Sequence, residues 1–174
     1  MSAVVSSKPR SRGRVMRVDL EQLNREFGVQ DVPADGNCLF SATAHSLARR
    51  RGRALPRRRR ERLARLLRRR STDLLGGRRV PLAGTGQTGY QILRHHLGPR
   101  RSVPAYCRRL RSAGEWGGEP HLVALAHLLR RPLQVYDYHR GTTALRLSYG
   151  EGSPGRSLHL LRVGGNHYCA LLPL

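Results

Sequence analysis

The sequence predicts one α+β domain, and three observations carry that expectation. Helical periodicities occupy the chain from Asp19 to Arg131, and short alternating or apolar runs of β type follow from Leu133 onward. Helices first and antiparallel strands last is the order of an α+β arrangement, with a small, mostly antiparallel sheet packed between helices. The length of 174 residues suits a single domain and lets it bury a real core.

Residues 1–17 are rich in Ser, Arg and Pro and are expected to form a flexible basic arm ahead of one domain over 18–174. Asp19 is placed to cap a short helix, with Leu20, Leu23 and Phe27 on one face and Gly28 as its stop. Val29 to Asn37, punctuated by Pro33 and Gly36, reads as an extended loop. Cys38 to about Arg50 reads as a helix whose Leu39, Ala42, Ala44 and Leu47 suit burial. From Arg57 to Arg70, Leu63, Leu66 and Leu67 fall at i, i+3 and i+4 beneath an arginine-covered face, which predicts an amphipathic helix.

Ser71 to Pro104 reads as Gly- and Pro-rich loops around one short helix near Thr88–Leu97, with a further turn at Tyr106–Leu110. Glu119-Pro120 opens a helix with proline in its tolerated first turn. That helix is apolar almost all round from Leu122 to Leu129, so it is expected in the core, and Pro132 stops it. Strands are expected at Leu133–Tyr136, Ala144–Tyr149, Leu158–Val163 and Tyr168–Leu172, the last two separated by Gly164-Gly165.

Composition excludes several classes. A hydrophobic share of 39% is too high for wholesale disorder. No apolar run is long enough to span a bilayer, so no membrane partner is expected. The polar, basic start has no apolar segment of signal type, which points to a cytoplasmic or nuclear protein that is not secreted. Three widely spaced cysteines exclude a disulfide framework.

The net charge is +22, and 13 arginines lie between Arg49 and Arg70, opposed only by Glu61. Such a patch attracts phosphate or acidic protein surface, so Arg49–Arg70 is a candidate nucleic-acid contact and equally a nuclear-localisation signal. No aromatic residue interrupts it to stack on bases, and a solvated helix face explains it as well.

The chemistry concentrates in short fragments. In Asp35-Gly36-Asn37-Cys38-Leu39-Phe40 a cysteine stands where a loop becomes a helix. Helix N-termini offer unpaired N–H groups and a positive dipole end, which favour thiolate and can receive an oxyanion; Gly36 and Asn37 are candidate supports there. His167, after Gly164-Gly165-Asn166 at the start of the last strand, can serve as the base that a thiol nucleophile needs. Trp116, the lone tryptophan, reads more readily as a core anchor than as a ligand contact. His95-His96 and His121…His127 lack supporting cysteines, so neither a metal site nor a cofactor is expected.

The Asp35–Phe40 run resembles the cysteine motif of the ovarian-tumour (OTU) deubiquitinases. Gly114-Glu115-Trp116-Gly117-Gly118 with Leu122–Ala126, and Asn166-His167-Tyr168, resemble two further motifs of that family, in family order and spacing. The resemblance implies the papain-superfamily fold of OTU cysteine proteases and hydrolysis of isopeptide bonds after the Gly-Gly end of ubiquitin or a ubiquitin-like modifier. It makes Cys38 the nucleophile, His167 the general base and Asp35 an active-site aspartate, with Trp116, Gly164 and Gly165 as candidates for the modifier-tail channel.

One departure stands out: many members carry Asp or Asn two residues after the histidine, where this chain has Cys169. Asp35, favoured here, or Asn166 then orients the imidazole, or the pair works as a near-dyad. Two other readings fit the same resemblance. One is a catalytically weak OTU-like module binding nucleic acid or acidic proteins through its arginines. The other is a small viral protease that processes a polyprotein.

Overall fold

Asp19 starts the first helix by the capping chemistry expected of it. Its carboxylate accepts from the backbone N–H of Glu21 at 2.7 Å, capping α1 (Leu20–Glu26). In the computed structural model, which describes residues 16–50, 56–112 and 114–174, this helix stands between two four-residue strands. These are β1 (Met16–Asp19) and β2 (Phe27–Gln30), neither of which the sequence suggested. Most of the expected basic arm lies outside the described residues; Met16 and Arg17, assigned to it, belong to β1.

Helices α2 (Cys38–Arg50), α3 (Arg57–Gly76), α4 (Gly89–Leu97), α5 (Val103–Leu110) and α6 (Glu119–Leu129) follow in order. The expected loop from Ser71 is instead the last turns of α3. Its polar residues satisfy themselves: Ser71 Oγ donates to Leu67 O at 2.7 Å, and Thr72 Oγ1 lies 3.1 Å from His121 Nε2. A turn-like composition therefore hides a buried helix end. Thr88 and Gln91 close a capping box at the start of α4. Ser102 caps α5, which runs from Val103 rather than from Tyr106.

Strands β3 (Leu133–Tyr138), β4 (Thr143–Tyr149), β5 (Leu158–Val163) and β6 (His167–Pro173) complete a sheet of order β1-β4-β3-β5-β6-β2. Only β3 and β5 run parallel, so the sheet is mostly antiparallel as expected.

Period-two alternation splits the strand residues between two apolar clusters. Val135, Leu160 and Ala170 join α2, α3 and α6 in the main core, whereas Tyr136, Ala144 and Leu171 meet Leu23 and Phe27 on the α1 side. The sheet is thus covered by helices on both faces. Helix α2 packs on β5 and β6, which sets its first residue, Cys38, beside the β5–β6 turn.

Candidate active site

Cys38 is held by a tight turn. The N–H of Cys38 donates to Asp35 O at 3.1 Å, and the N–H of Asn37 donates to Asp35 Oδ1 at 3.0 Å. The helix then begins, with Ser41 N donating to Asn37 O at 2.9 Å. The two glycine-bearing loops cross here: a Cβ on Gly36 would stand 2.2 Å from the carbonyl carbon of Gly114, so only glycine fits.

A buried arginine fastens this crossing. Arg68, on α3, donates through Nε to Asn37 Oδ1 at 2.7 Å, through Nη1 to Leu110 O at 2.8 Å and through Nη2 to Glu115 O at 2.7 Å. Nη2 also reaches Gly36 O, and the guanidinium lies over the Phe40 ring. Arg68 is 2% exposed, whereas Arg57, Arg58, Arg59, Arg62, Arg65, Arg69 and Arg70 are exposed as expected. Burial makes its charged form harder to hold, and the nearby Asp35 and Glu115 carboxylates oppose that. One member of the arginine run is therefore internal architecture rather than surface.

His167 opens β6 after a turn in which Gly164 (φ 61°) and Gly165 (φ 82°) are both left-handed, a conformation strained for other residues. This turn brings Asn166 to the cysteine, whose Sγ donates to Asn166 O at 3.7 Å. The imidazole Nε2 lies 2.9 Å from Asp31 Oδ1. An ionised carboxylate can only accept, so Nε2 carries a proton, and in the neutral imidazole the lone pair then falls to Nδ1. Nδ1 is buried without a partner among the described residues.

Asp31 is the residue that the sequence reading missed. It directly follows β2, and the antiparallel pairing of β2 with β6, Gln30 opposite Ala170, carries it to the level of Cys169, within reach of the histidine two residues before. Asp35, expected in that place, spends its carboxylate on the Asn37 N–H. Cys169, two residues after the histidine on the same face of β6, donates its thiol to Asp31 Oδ1 at 3.2 Å. The position lacking a carboxylate thus grips one brought from the loop after β2. The His167 and Cys169 bonds hold the Asp31 carboxyl below its ordinary value. Burial, reinforced by Asp31, pushes the Cys169 thiol up to about 12.

Burial also raises the Cys38 thiol, which is 1% exposed; backbone N–H groups of Tyr168 and Leu39 only partly oppose this. Desolvation outweighs the helix N-terminus that was expected to favour thiolate. Trp116 is 41% exposed, so it is not the core anchor expected of it. Its neighbour Gly117 packs on Leu39 and Phe40, leaving the indole at the surface near the cysteine helix. A cleft of about 570 Å³ opens beside the site, between Asp31, Asp35 and Asn37 on one side and His45, Arg57 and Arg65 on the other.

Comparison with known proteins identifies the family and the fold. A family model described as OTU-like cysteine protease matches residues 33–163. The chain is 30% identical over 161 residues to the OVARIAN TUMOR DOMAIN-containing deubiquitinating enzyme 4 of Arabidopsis thaliana. That match takes in 84% of this chain and 44% of the relative, so the chain spans less than half the relative's length.

Two solved structures share the fold. The viral OTU domain protease from Taggert virus superposes with a TM-score of 0.67 at 18% identity, over 91% of this chain and 86% of that one. The Hazara virus OTU bound to ubiquitin gives 0.64 at 21% identity, over 92% and 89%.

Proposed function

Because the chain belongs to the OTU-like cysteine protease family, we propose that it is a thiol-dependent deubiquitinase. Its substrates are isopeptide bonds after the C-terminal Gly-Gly of ubiquitin or a ubiquitin-like modifier. The observation that carries this reading is the two-sided setting of His167. Its Nε2–H is fixed by Asp31, and its buried Nδ1 is left as a free base next to the turn that touches Cys38. The relative's designation as a deubiquitinating enzyme and the ubiquitin held by the Hazara virus domain supply the substrate class.

In this reading the Cys38 proton passes to Nδ1 as Sγ attacks the glycine carbonyl. The imidazolium then protonates the departing lysine amine, and water releases the thioester by the same base. Asp31 keeps the ring in the required tautomer. Asp35 shapes the loop: in the resting state it occupies the N–H groups of Asn37 and Cys38, which an oxyanion must take over. Trp116, Gly164 and Gly165 are the candidate walls for a tail without side chains, and Asn166 anchors the resting thiol.

A ubiquitin substrate with a fluorogenic C-terminal amide tests the proposal. Wild-type chain should release the fluorophore and form a covalent adduct with a ubiquitin bearing a C-terminal electrophile, and Cys38→Ala should do neither. Undiminished cleavage by Cys38→Ala overturns the assignment.

A further inference from the structure

The contact between Asp31 and β6 brings three different donor atoms together. Asp31 Oδ1 is 2.9 Å from His167 Nε2 and 3.2 Å from Cys169 Sγ, and all three atoms lie within 4.8 Å of one another. The edges of a zinc tetrahedron with Zn–N, Zn–O and Zn–S bonds of about 2.0–2.3 Å span roughly 3.3–3.8 Å, so both Oδ1 separations must open slightly while Nε2 and Sγ, within 4.8 Å of each other, settle to that span. One carboxylate, one imidazole and one thiolate form a donor set suited to borderline-soft divalent cations. His167 and Cys169 are fixed on a strand paired on both sides, by β5 and β2. The Asp31 side chain is 77% exposed, giving a cation access and leaving room for water as fourth ligand.

We propose that Asp31, His167 and Cys169 form a binding site for a zinc-type divalent cation, and that filling it switches the peptidase off. Its inhibitory consequence rests on the function proposed above; the binding does not. The protons balance without any redox change. The cation takes the Nε2 lone pair, the proton that Nε2 had directed at Asp31 leaves to solvent, and Nδ1 takes up one proton in its place. The Cys169 thiol proton leaves to solvent as the sulfur–metal bond forms. With Nδ1 protonated, His167 has no lone pair left to accept the Cys38 proton. The ligands stand 136 and 138 positions apart in sequence, so no spacing motif announces the site.

Cobalt(II), which reports thiolate ligation by a charge-transfer absorption in the near ultraviolet, tests the binding in the full chain carrying Cys38→Ala. One equivalent should bind with that absorption, and zinc should displace it. Adding Cys169→Ser should abolish the band, and adding Asp31→Asn, which keeps the size of an exposed side chain, should weaken binding by about 10-fold or more. Absence of the band in Cys38→Ala, or its survival in the Cys169→Ser double variant, overturns the site. In wild type, zinc should suppress turnover reversibly on chelation. Turnover unaffected by zinc at saturating cobalt-competing concentrations overturns the switch. A chain without peptidase activity would still give the cobalt result, so the two proposals fail separately.

Discussion

Asp31 and His167 are 136 residues apart in sequence and 2.9 Å apart at the site, with Cys169 sharing the same carboxylate oxygen from 3.2 Å. A carboxylate supplied from the loop after β2 fills the place that the strand itself leaves empty.

In the proposed mechanism Asp31 is a positioning residue for His167. Asp31→Ala should lower kcat by about 10²-fold or more while KM changes little, because the ring loses its tautomer lock and not its substrate contacts. Adding Cys169→Asp to that variant should restore part of kcat by returning a carboxylate to the strand. Steady-state kinetics on the fluorogenic substrate reads both, and an unaltered kcat in Asp31→Ala would remove Asp31 from the mechanism.

Arg68 ties the loop before Cys38 into the folding core. Arg68→Ala should destabilise the domain by about 3–5 kcal/mol, since the carbonyls of Gly36, Leu110 and Glu115 lose their shared buried donor. Arg68→Lys keeps the charge but not the fork, so it should recover part of the stability and less of the activity. Urea denaturation alongside turnover separates the two effects. A loss under about 1 kcal/mol in Arg68→Ala would show that the contacts are not stabilising.

The Cys38 thiol is raised by burial, so it rests as a neutral thiol, and the proposed mechanism has it lose its proton only during attack. Alkylation of Cys38 by iodoacetamide should be slow at neutral pH and rise with a midpoint above the ordinary value of 9.0. Mass spectrometry of the modified peptide across pH follows this. A midpoint at or below neutrality would mean a preformed thiolate.

His121 makes stability depend on acidity. It is buried against Thr72 and the Phe40 ring, and burial with the Arg68 charge lowers it from 6.5 to about 3. An unfolded chain protonates this ring near its ordinary value and the folded chain does not. The stability it contributes is therefore complete above 6.5 and declines as pH falls toward about 3. The urea midpoint of wild type should drop between about pH 7.5 and about pH 5, and His121→Gln should flatten that slope. Equal slopes would assign the acid sensitivity to other groups.

Local chemistry is what the sequence makes readable. Asp19 caps α1 through its immediate neighbours as expected, and the sharp loop before Cys38 is marked by Gly36; the Thr88 and Ser102 caps are equally local, though not among those expected. Asp31 carries no such mark, since its partners arrive through the β2–β6 pairing, and Phe27–Gln30 is too short and glycine-broken to announce a strand. Arg68 is camouflaged by composition. Its one available signal was periodic: it falls on the stripe of Ala64, Leu67, Ser71 and Leu75, the face of α3 that is buried.

The strand order carries a consequence for assembly. The two earliest strands, β1 and β2, occupy opposite rims of the sheet, and each pairs with a strand formed far later in the chain, β4 and β6. Asp31 rides on the end of β2, so its carboxylate meets His167 only when that rim is laid down on β6. The helix bearing Cys38 and the hairpin bearing His167 are joined without that rim, so the Asp31–His167 contact depends on a seam between the two ends of the chain.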